Sequence, residues 1–260
     1  TIVIVSSTNY YQCTLEKLGK TFNTKKLEVD LNDKNLETLV KYCEQDVEIL
    51  KTAMLSFIEF VKNEDLGNFK MTIAGQSFAS YRHKFMKEEI LLHRDKKSLI
   101  NERKSYAGGR TECWALGEFQ DIYYVDVNSM YPAVMKSELY PKKLLSYRNR
   151  LDLAELKDFI ENKDYLIIAT VLLNTKNRIY FKKDKRLIFP TGEFETTLCT
   201  PEIIRALKDN EIKEVYEVCI YEKGELFTDY VDFFYNKRLE IKETDPVRSM
   251  LYKIFLNSLL

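Results

Sequence analysis

The sequence predicts an α+β fold, and three observations carry that expectation. Apolar residues recur at intervals of three and four from Asn35 to about Val61, the period of one helical face. Short runs rich in β-branched and aromatic residues, Ile122 to Val127 and Leu166 to Leu173, have the length and composition of strands. Two further helical patterns, 225–243 and 247–260, flank Thr244-Asp245-Pro246, a cap followed by proline.

Taken in order, Thr1 to Val5 reads as a core strand entered abruptly, so the sequence is expected to begin inside a domain. The long helix should bury one stripe formed by Leu36, Leu39, Val40, Cys43, Val47, Leu50, Met54, Phe57 and Ile58, with Asn32 or Asp33 as its cap. A polar break at 63–68 precedes a second helical pattern from about Thr72 to Met86. Between Arg82 and Arg110 there are nine Lys or Arg against four Asp or Glu, which on charge alone suits a solvated linker as well as an anionic partner. Asp126 is expected at the end of a strand and Pro132 at the start of the next helix. Residues 142–224 read as a compact inserted unit, with a helix near Leu153 to Asn162 and another opened by Thr200 as cap, Pro201 as first position and Glu202 in the first turn.

Composition narrows the function classes. A chain of 260 residues, 45% hydrophobic, can bury a core in one or two domains. Its 40 basic residues equal its 40 acidic ones, so any nucleic-acid affinity has to be local rather than a property of net charge. Five widely spaced cysteines without a C-x-x-C pair disfavour a disulfide framework or a zinc site and suit a reducing, intracellular compartment, be it host cytoplasm, nucleus or organelle. No apolar run is long enough for a membrane span, so no membrane partner is expected.

The chemistry starts at Asp126-Val127-Asn128-Ser129-Met130-Tyr131-Pro132. A carboxylate leaving a strand beside a turn and a helix start can offer a hard divalent cation one carboxylate and a backbone carbonyl. The alternative for an isolated aspartate in that position is capping of the next helix. The string resembles motif A of family B DNA polymerases, D-x-x-S-L-Y-P, with Met130 in place of leucine. The resemblance implies that Asp126 binds both catalytic metals, that Val127 adds a backbone ligand, that Ser129 lies by the incoming nucleotide, and that Tyr131 packs under its sugar. Two magnesium or manganese ions would then clamp the attacking and leaving oxygens of an in-line displacement. The family's second carboxylate pair lies further downstream than this sequence runs.

Lys253-Ile254-Phe255-Leu256-Asn257-Ser258-Leu259-Leu260 resembles motif B, K-x-x-x-N-S-x-Y-G, with Leu260 where the family has tyrosine. Lys253 and Asn257 stand four apart, as do Arg238 and Lys242 on the preceding helical pattern, so each pair should share a helix face. The resemblance implies that Arg238, Lys242 and Lys253 converge on the triphosphate. Without it, solvated helix cations would be the plainer account.

Upstream, Tyr106-Ala107-Gly108-Gly109 resembles the Y-x-G-G loop that joins the exonuclease and polymerase domains of the family, with Lys104 and Arg110 adding local charge for DNA. Tyr42 and Asp46 resemble the third exonuclease motif, Y-x-x-x-D, which implies a water-orienting tyrosine and a metal-binding aspartate. The earlier carboxylates of a proofreading site are absent from this sequence. Ser7 to Tyr11 is similar to the family's strand-binding S/T-L-x-x-h segment, with Thr8 in place of leucine.

The interval between Asp126 and Lys253 is filled by an α/β insertion, and such an insertion, terminal protein region 1, is what protein-primed members of the family carry. The resemblance therefore implies, in order, the C-terminal part of a ribonuclease H-like 3′-5′ exonuclease domain (1–66), a helical connector (67–104), a partial palm with the Y-x-G-G loop and motif A (105–141), the insertion (142–224) and helical fingers (225–260). It implies DNA-directed DNA synthesis from dNTPs on a DNA primer-template, with a terminal protein as primer. The segment alone is expected to be inert, because part of the palm, the thumb and the second metal carboxylates are missing from it. Two rivals are a non-catalytic remnant that binds DNA or a priming protein, and a stand-alone nuclease related to the proofreading domain.

Overall fold

The computed structural model describes residues 3–30, 35–162, 164–183 and 186–259. In chain order the elements are α1 (Leu15–Thr21), α2 (Leu36–Asn63), α3 (Ile73–Ser80), α4 (Lys96–Ser105), α5 (Met130–Ser137), β1 (Tyr140–Asn149), α6 (Leu153–Glu161), β2 (Tyr165–Thr175), β3 (Lys182–Lys183), β4 (Leu187–Ile188), β5 (Gly192–Cys199), α7 (Thr200–Lys208), β6 (Ile212–Gly224), α8 (Thr228–Ile241) and α9 (Pro246–Ser258). The mixed α+β class expected from the sequence is what forms. The chain divides into two compact units, one of residues 1–87, 127–138 and 226–260, the other of 88–126 and 139–225.

The first unit is helical and its core is aromatic. Asn35 caps α2, its side chain accepting from Glu37 N at 3.0 Å and Thr38 N at 3.4 Å. The expected caps, Asn32 and Asp33, lie outside the described residues. The second half of α2 buries Ile49, Ala53, Phe57, Phe60 and Val61. The expectation of one buried stripe fails in the first half, where Leu36, Val40 and Val47 are 73%, 45% and 62% exposed and Cys43 is exposed too. At 28 residues the helix runs ~42 Å, and its fully buried residues begin at Ile49. Phe57 and Phe234 both stack on Phe255, at centroid distances of 5.9 and 5.2 Å, and Tyr230 donates its hydroxyl proton to Phe255 O at 2.7 Å.

Local chemistry sets the turns of this unit. After α2 the chain passes through left-handed backbone at Asp65 (φ 51°) and Gly67 (φ 79°), and a Cβ at 67 would stand 3.2 Å from His83 Cβ, so glycine suits the position twice over. Gln76 and Ser80 of α3, both fully buried, satisfy this turn: Gln76 Nε2 and Ser80 Oγ donate to Leu66 O at 3.2 and 2.8 Å, and Gln76 Oε1 accepts from Lys70 N at 2.8 Å. The helical pattern expected from Thr72 to Met86 forms with Thr72 as cap, and its last turn, Tyr81–Phe85, widens to a π-turn. Asp245 caps α9 by accepting from Arg248 N at 2.9 Å, with Pro246 at the first position. Val3 to Val5, expected in a core strand, is irregular, with Val3 60% and Ile4 94% exposed, because no described strand lies alongside to complete a ladder.

The second unit is built on an antiparallel sheet of order β1-β6-β2-β5. Alternation in β2 sends Ile167, Ala169, Val171 and Leu173 to one face, where Leu156 of α6 and Ile203 and Ala206 of α7 close a dry core. The other face is polar. Thr170 Oγ1 and Thr197 Oγ1 lie 2.9 Å apart, Thr170 donates to Asn101 Oδ1 at 3.3 Å, and Tyr221 donates to Glu102 Oε1 at 2.7 Å, which seats α4. The charge-rich passage after Glu88 is therefore no solvated linker: Leu91 bridges in parallel to Lys143, with Leu91 N donating to Lys142 O at 2.8 Å, and α4 buries Ser98 and Asn101.

Two sequence expectations change here. The cap of α7 is Cys199, whose N–H donates to Glu202 Oε2 at 2.9 Å, while Thr200 is the first helical residue and turns its hydroxyl to β2. The strand expected from Ile122 to Val127 does not form. Residues 106–128 contain neither helix nor strand, and Ile122, Tyr123, Tyr124 and Val125 are 72–95% exposed. A lone β-prone run has nowhere to place its backbone hydrogen bonds, and no described residue pairs with it.

Candidate functional site

The segment around Asp126 builds a helix start. Ser129 takes left-handed backbone (φ 54°, ψ 38°) as the cap of α5, without a side-chain capping bond, and its carbonyl accepts from Ala133 N at 2.9 Å. The helix begins at Met130, so Pro132 is its third residue rather than its first; proline is tolerated there because first-turn N–H groups have no intrahelical partner. Pro132 and Met135 are buried, and Tyr131 is left 60% exposed. Lys136 pairs with Asp232 at 2.5 Å, which ties α5 to α8. Asp126 and Val127 are exposed on irregular backbone, Asp126 is not at a strand end, and no three His, Cys, Asp or Glu cluster as metal ligands among the described residues.

The cations expected to grip a triphosphate lie on α8, α9 and the turn between them. Arg238 is in the last turn of α8 and half-buried; Lys242 is the capping residue just past its end, still in helical conformation. Lys253 and Asn257 lie four apart on the exposed face of α9, opposite buried Phe255 and Leu256. None of Arg238, Lys242 and Lys253 has an ion-pair partner among the described residues, whereas the neighbouring Lys237 and Arg248 pair with Glu240 and Asp245.

On α2, Tyr42 and Asp46 are both half-buried and four apart. Lys26 joins them: its Nζ is 4.0 Å from Asp46 Oδ2 and 5.4 Å from the Tyr42 ring centroid. The phenol of Tyr42 beside it, with Asp46 adding charge, raises the Lys26 pKa above the ordinary lysine value. Asp46 Oδ1 is buried and accepts no hydrogen bond among the described residues. Gln45 Nε2 donates to Lys25 O at 2.9 Å, which pins the extended segment carrying Lys26. Sequence reasoning missed Lys26 because it belongs to no motif and reaches the pair only through tertiary packing. In the Ser7 to Tyr11 segment, Tyr10 and Tyr11 are buried and their hydroxyls donate to Lys70 O and Ala53 O, so both serve the core.

The Tyr106-Ala107-Gly108-Gly109 loop follows α4 directly. Tyr106 is 73% exposed, Gly108 and Gly109 are exposed, and a Cβ at Gly108 would meet nothing within 4 Å. Arg110 is not a free cation: its guanidinium pairs with Glu112 at 2.5 Å and lies 4.5 Å from the Phe189 ring centroid. No described helix is long and apolar enough to cross a membrane.

The fold, with its antiparallel sheet unit and its helical unit, is similar to that of solved DNA polymerase structures. The structure described as Phi29 DNA polymerase complexed with single-stranded DNA aligns at a TM-score of 0.71 and 18% identity, over 98% of this chain and 46% of that one. The ternary complex of Phi29 DNA polymerase with primer-template DNA and incoming nucleotides aligns at 0.67 and 21% identity, over 98% and 47%. A probable DNA polymerase of Neurospora intermedia is 27% identical over 241 residues, 85% of this chain. A DNA polymerase of Kluyveromyces lactis is 27% identical over 250 residues, 88% of this chain. The chain spans 24% of the length of each of these two relatives. The family described as DNA polymerase type B, organellar and viral, matches residues 2–260, and the chain belongs to that family.

Proposed function

We propose that this chain is the part of a protein-primed DNA polymerase that carries the end of the proofreading site, the Y-x-G-G loop and the nucleotide-binding half of the polymerase site. The reaction is nucleotidyl transfer from dNTPs to a primer end, templated by DNA. Arg238, Lys242 and Lys253 grip the triphosphate through charge-assisted contacts of about 1.5–3 kcal/mol each. Asn257 and Ser129 flank the nucleotide, and Tyr131 lies under its sugar. Tyr106, Gly108, Gly109 and Arg110 touch the DNA strand, and Tyr42 with Asp46 belongs to the exonuclease site. The sheet unit between β1 and β6 is where a priming terminal protein would dock.

Magnesium or manganese, as a two-metal site, is the cofactor of this reading, supplying Lewis-acid activation of the reacting oxygens. The donors here are the Asp126 carboxylate and the Val127 carbonyl, with Asp46 in the exonuclease site. A lone carboxylate in each place does not complete a two-metal set. The remaining ligands belong, in this reading, to the portion of the polymerase that this chain does not span.

The observation that carries the proposal is the trio of basic residues on α8, α9 and their turn, without carboxylate partners among the described residues while their neighbours are paired. It is tested by titrating the chain with a fluorescent dNTP. Lys253→Ala and Arg238→Ala should each weaken binding about ten-fold, and Lys237→Ala should leave it unchanged. Equal binding by all four proteins removes the triphosphate site. DNA binding that weakens steeply with salt, alongside undetectable dNTP binding, favours a non-catalytic DNA-binding remnant instead.

A further inference from the structure

The Tyr106–Gly109 loop is held from outside. α4 ends at Ser105, and Tyr106 leaves it in extended backbone (φ −76°, ψ 117°), so the last helical carbonyls have no N–H of their own turn to accept from. Lys183, in β3, supplies the missing donor: its Nζ donates to Arg103 O at 3.3 Å and to Tyr106 O at 3.1 Å and lies 5.9 Å from the Tyr106 ring centroid. At the far end of the loop, Arg110 Nη1 donates to Arg178 O at 2.5 Å, while its guanidinium rests on Phe189. Between these anchors the backbone of 106–110 makes no backbone–backbone hydrogen bond among the described residues, and the space beside Gly108 is open. The loop's shape therefore depends on two cations, Lys183 holding its start and Arg110 holding its end to Arg178 and Phe189.

We propose that Lys183 is a positioning residue. By engaging Arg103 O and Tyr106 O it fixes the Tyr106–Gly109 loop in the conformation that receives a single DNA strand, with the Tyr106 ring as a stacking surface for a base and the exposed glycine backbone open to a phosphate. The Lys183 ammonium is committed to two carbonyls of its own chain, so it acts through the loop and not as a phosphate contact. This assignment rests on the reading of the loop as a DNA-binding element.

The test uses the whole 260-residue chain as wild type, Lys183→Met, Lys183→Arg and Tyr106→Ala. Without DNA, limited trypsin digestion read by mass spectrometry follows nicking after Lys104 and Arg110. Lys183→Met should nick there about five-fold faster, the scale of one net hydrogen bond, with an unchanged circular dichroism spectrum and melting temperature, and Lys183→Arg should restore protection. With a short oligothymidylate, Lys183→Met should bind about five-fold more weakly at every salt concentration, with the same slope of log affinity against log salt as wild type. A slope shallower by about 0.7 would mark a direct phosphate contact and overturn the positioning role. Nicking that does not change in Lys183→Met overturns the proposal whatever the DNA result. Failure of wild type to bind, or wild-type affinity in Tyr106→Ala, overturns the DNA reading and the proposal with it.

Discussion

Lys26 Nζ lies 4.0 Å from Asp46 Oδ2, across from the ring of Tyr42, and joins an extended segment to a helix that begins ten residues later. The Tyr42 phenol is the leading cause of the raised Lys26 pKa. Replacing Tyr42 by Phe should therefore return the Lys26 ammonium toward the ordinary lysine value, as read by NMR titration of its side-chain nitrogen. The sign is that of a cation held charged: its contribution to stability is complete below about pH 10.4 and is lost as pH rises through the folded value. Unchanged titration of Lys26 in the Phe variant would mean that the tyrosine does not govern it.

Phe255 is fully buried between Phe57 and Phe234, on the face of α9 opposite Lys253. Truncation to Ala removes both stacking partners and leaves a cavity, at a cost of about 3–5 kcal/mol in urea unfolding. Lys253→Ala, on the exposed face, should stay within ~0.5 kcal/mol of wild type. A similar loss from both changes would contradict the facing of α9.

Thr200 bridges helix and sheet twice: its Oγ1 accepts from Ile167 N at 2.6 Å and donates to Ile167 O at 3.0 Å. The hydroxyl continues the β2 ladder one step past the residue where β5 pairing stops, at Ile168 with Cys199. Thr200→Val keeps the shape and strands both backbone groups, so it should cost about 1–3 kcal/mol, with Thr200→Ser recovering most of it. Amide exchange at Ile167 is the local readout, and protection that survives in the Val variant would show that the bridge is dispensable.

The run from Ile122 to Val125 combines high β-propensity with near-complete exposure. In this chain its amides should exchange at close to the rates of an unstructured peptide, whereas those of Ala169 and Val218 in the sheet centre should be among the slowest. Protected amides at 122–125 would place a pairing partner among residues where none is described.

What the sequence made legible was local. The second half of α2, β2, and the cap and proline that open α9 all follow from periodicity or from residues within one turn of each other. Periodicity did not show α4, which falls in the helical connector implied by the resemblance, because its anchors are polar: Asn101 meets Thr170 and Cys219, 69 and 118 residues away, and its remaining faces carry charge. Ile122 to Val127 failed for the opposite reason, since its composition asks for a ladder that only a partner can provide. Spacing put Lys253 with Asn257 and Tyr42 with Asp46 each on one helix, as they lie in the structure, whereas Lys26 and Lys183 meet their neighbours through contacts that no spacing rule encodes.

Glu202 gives the clearest dependence on pH. Its carboxylate accepts from Cys199 N at the start of α7, yet burial dominates and raises its pKa above the ordinary glutamate value. A carboxyl whose folded pKa exceeds its unfolded one binds its proton more tightly when folded. Stability from this group is therefore greatest below about pH 4.3 and declines as pH rises through the folded value. Glu202→Gln retains an oxygen for the Cys199 N–H and removes the charge. It should flatten the stability profile above pH 4.3 and equal or exceed wild type at neutral pH by urea denaturation. A variant that is less stable than wild type at pH 7, with the pH profile preserved, would instead mean that the ionised carboxylate strengthens the cap by more than its burial costs.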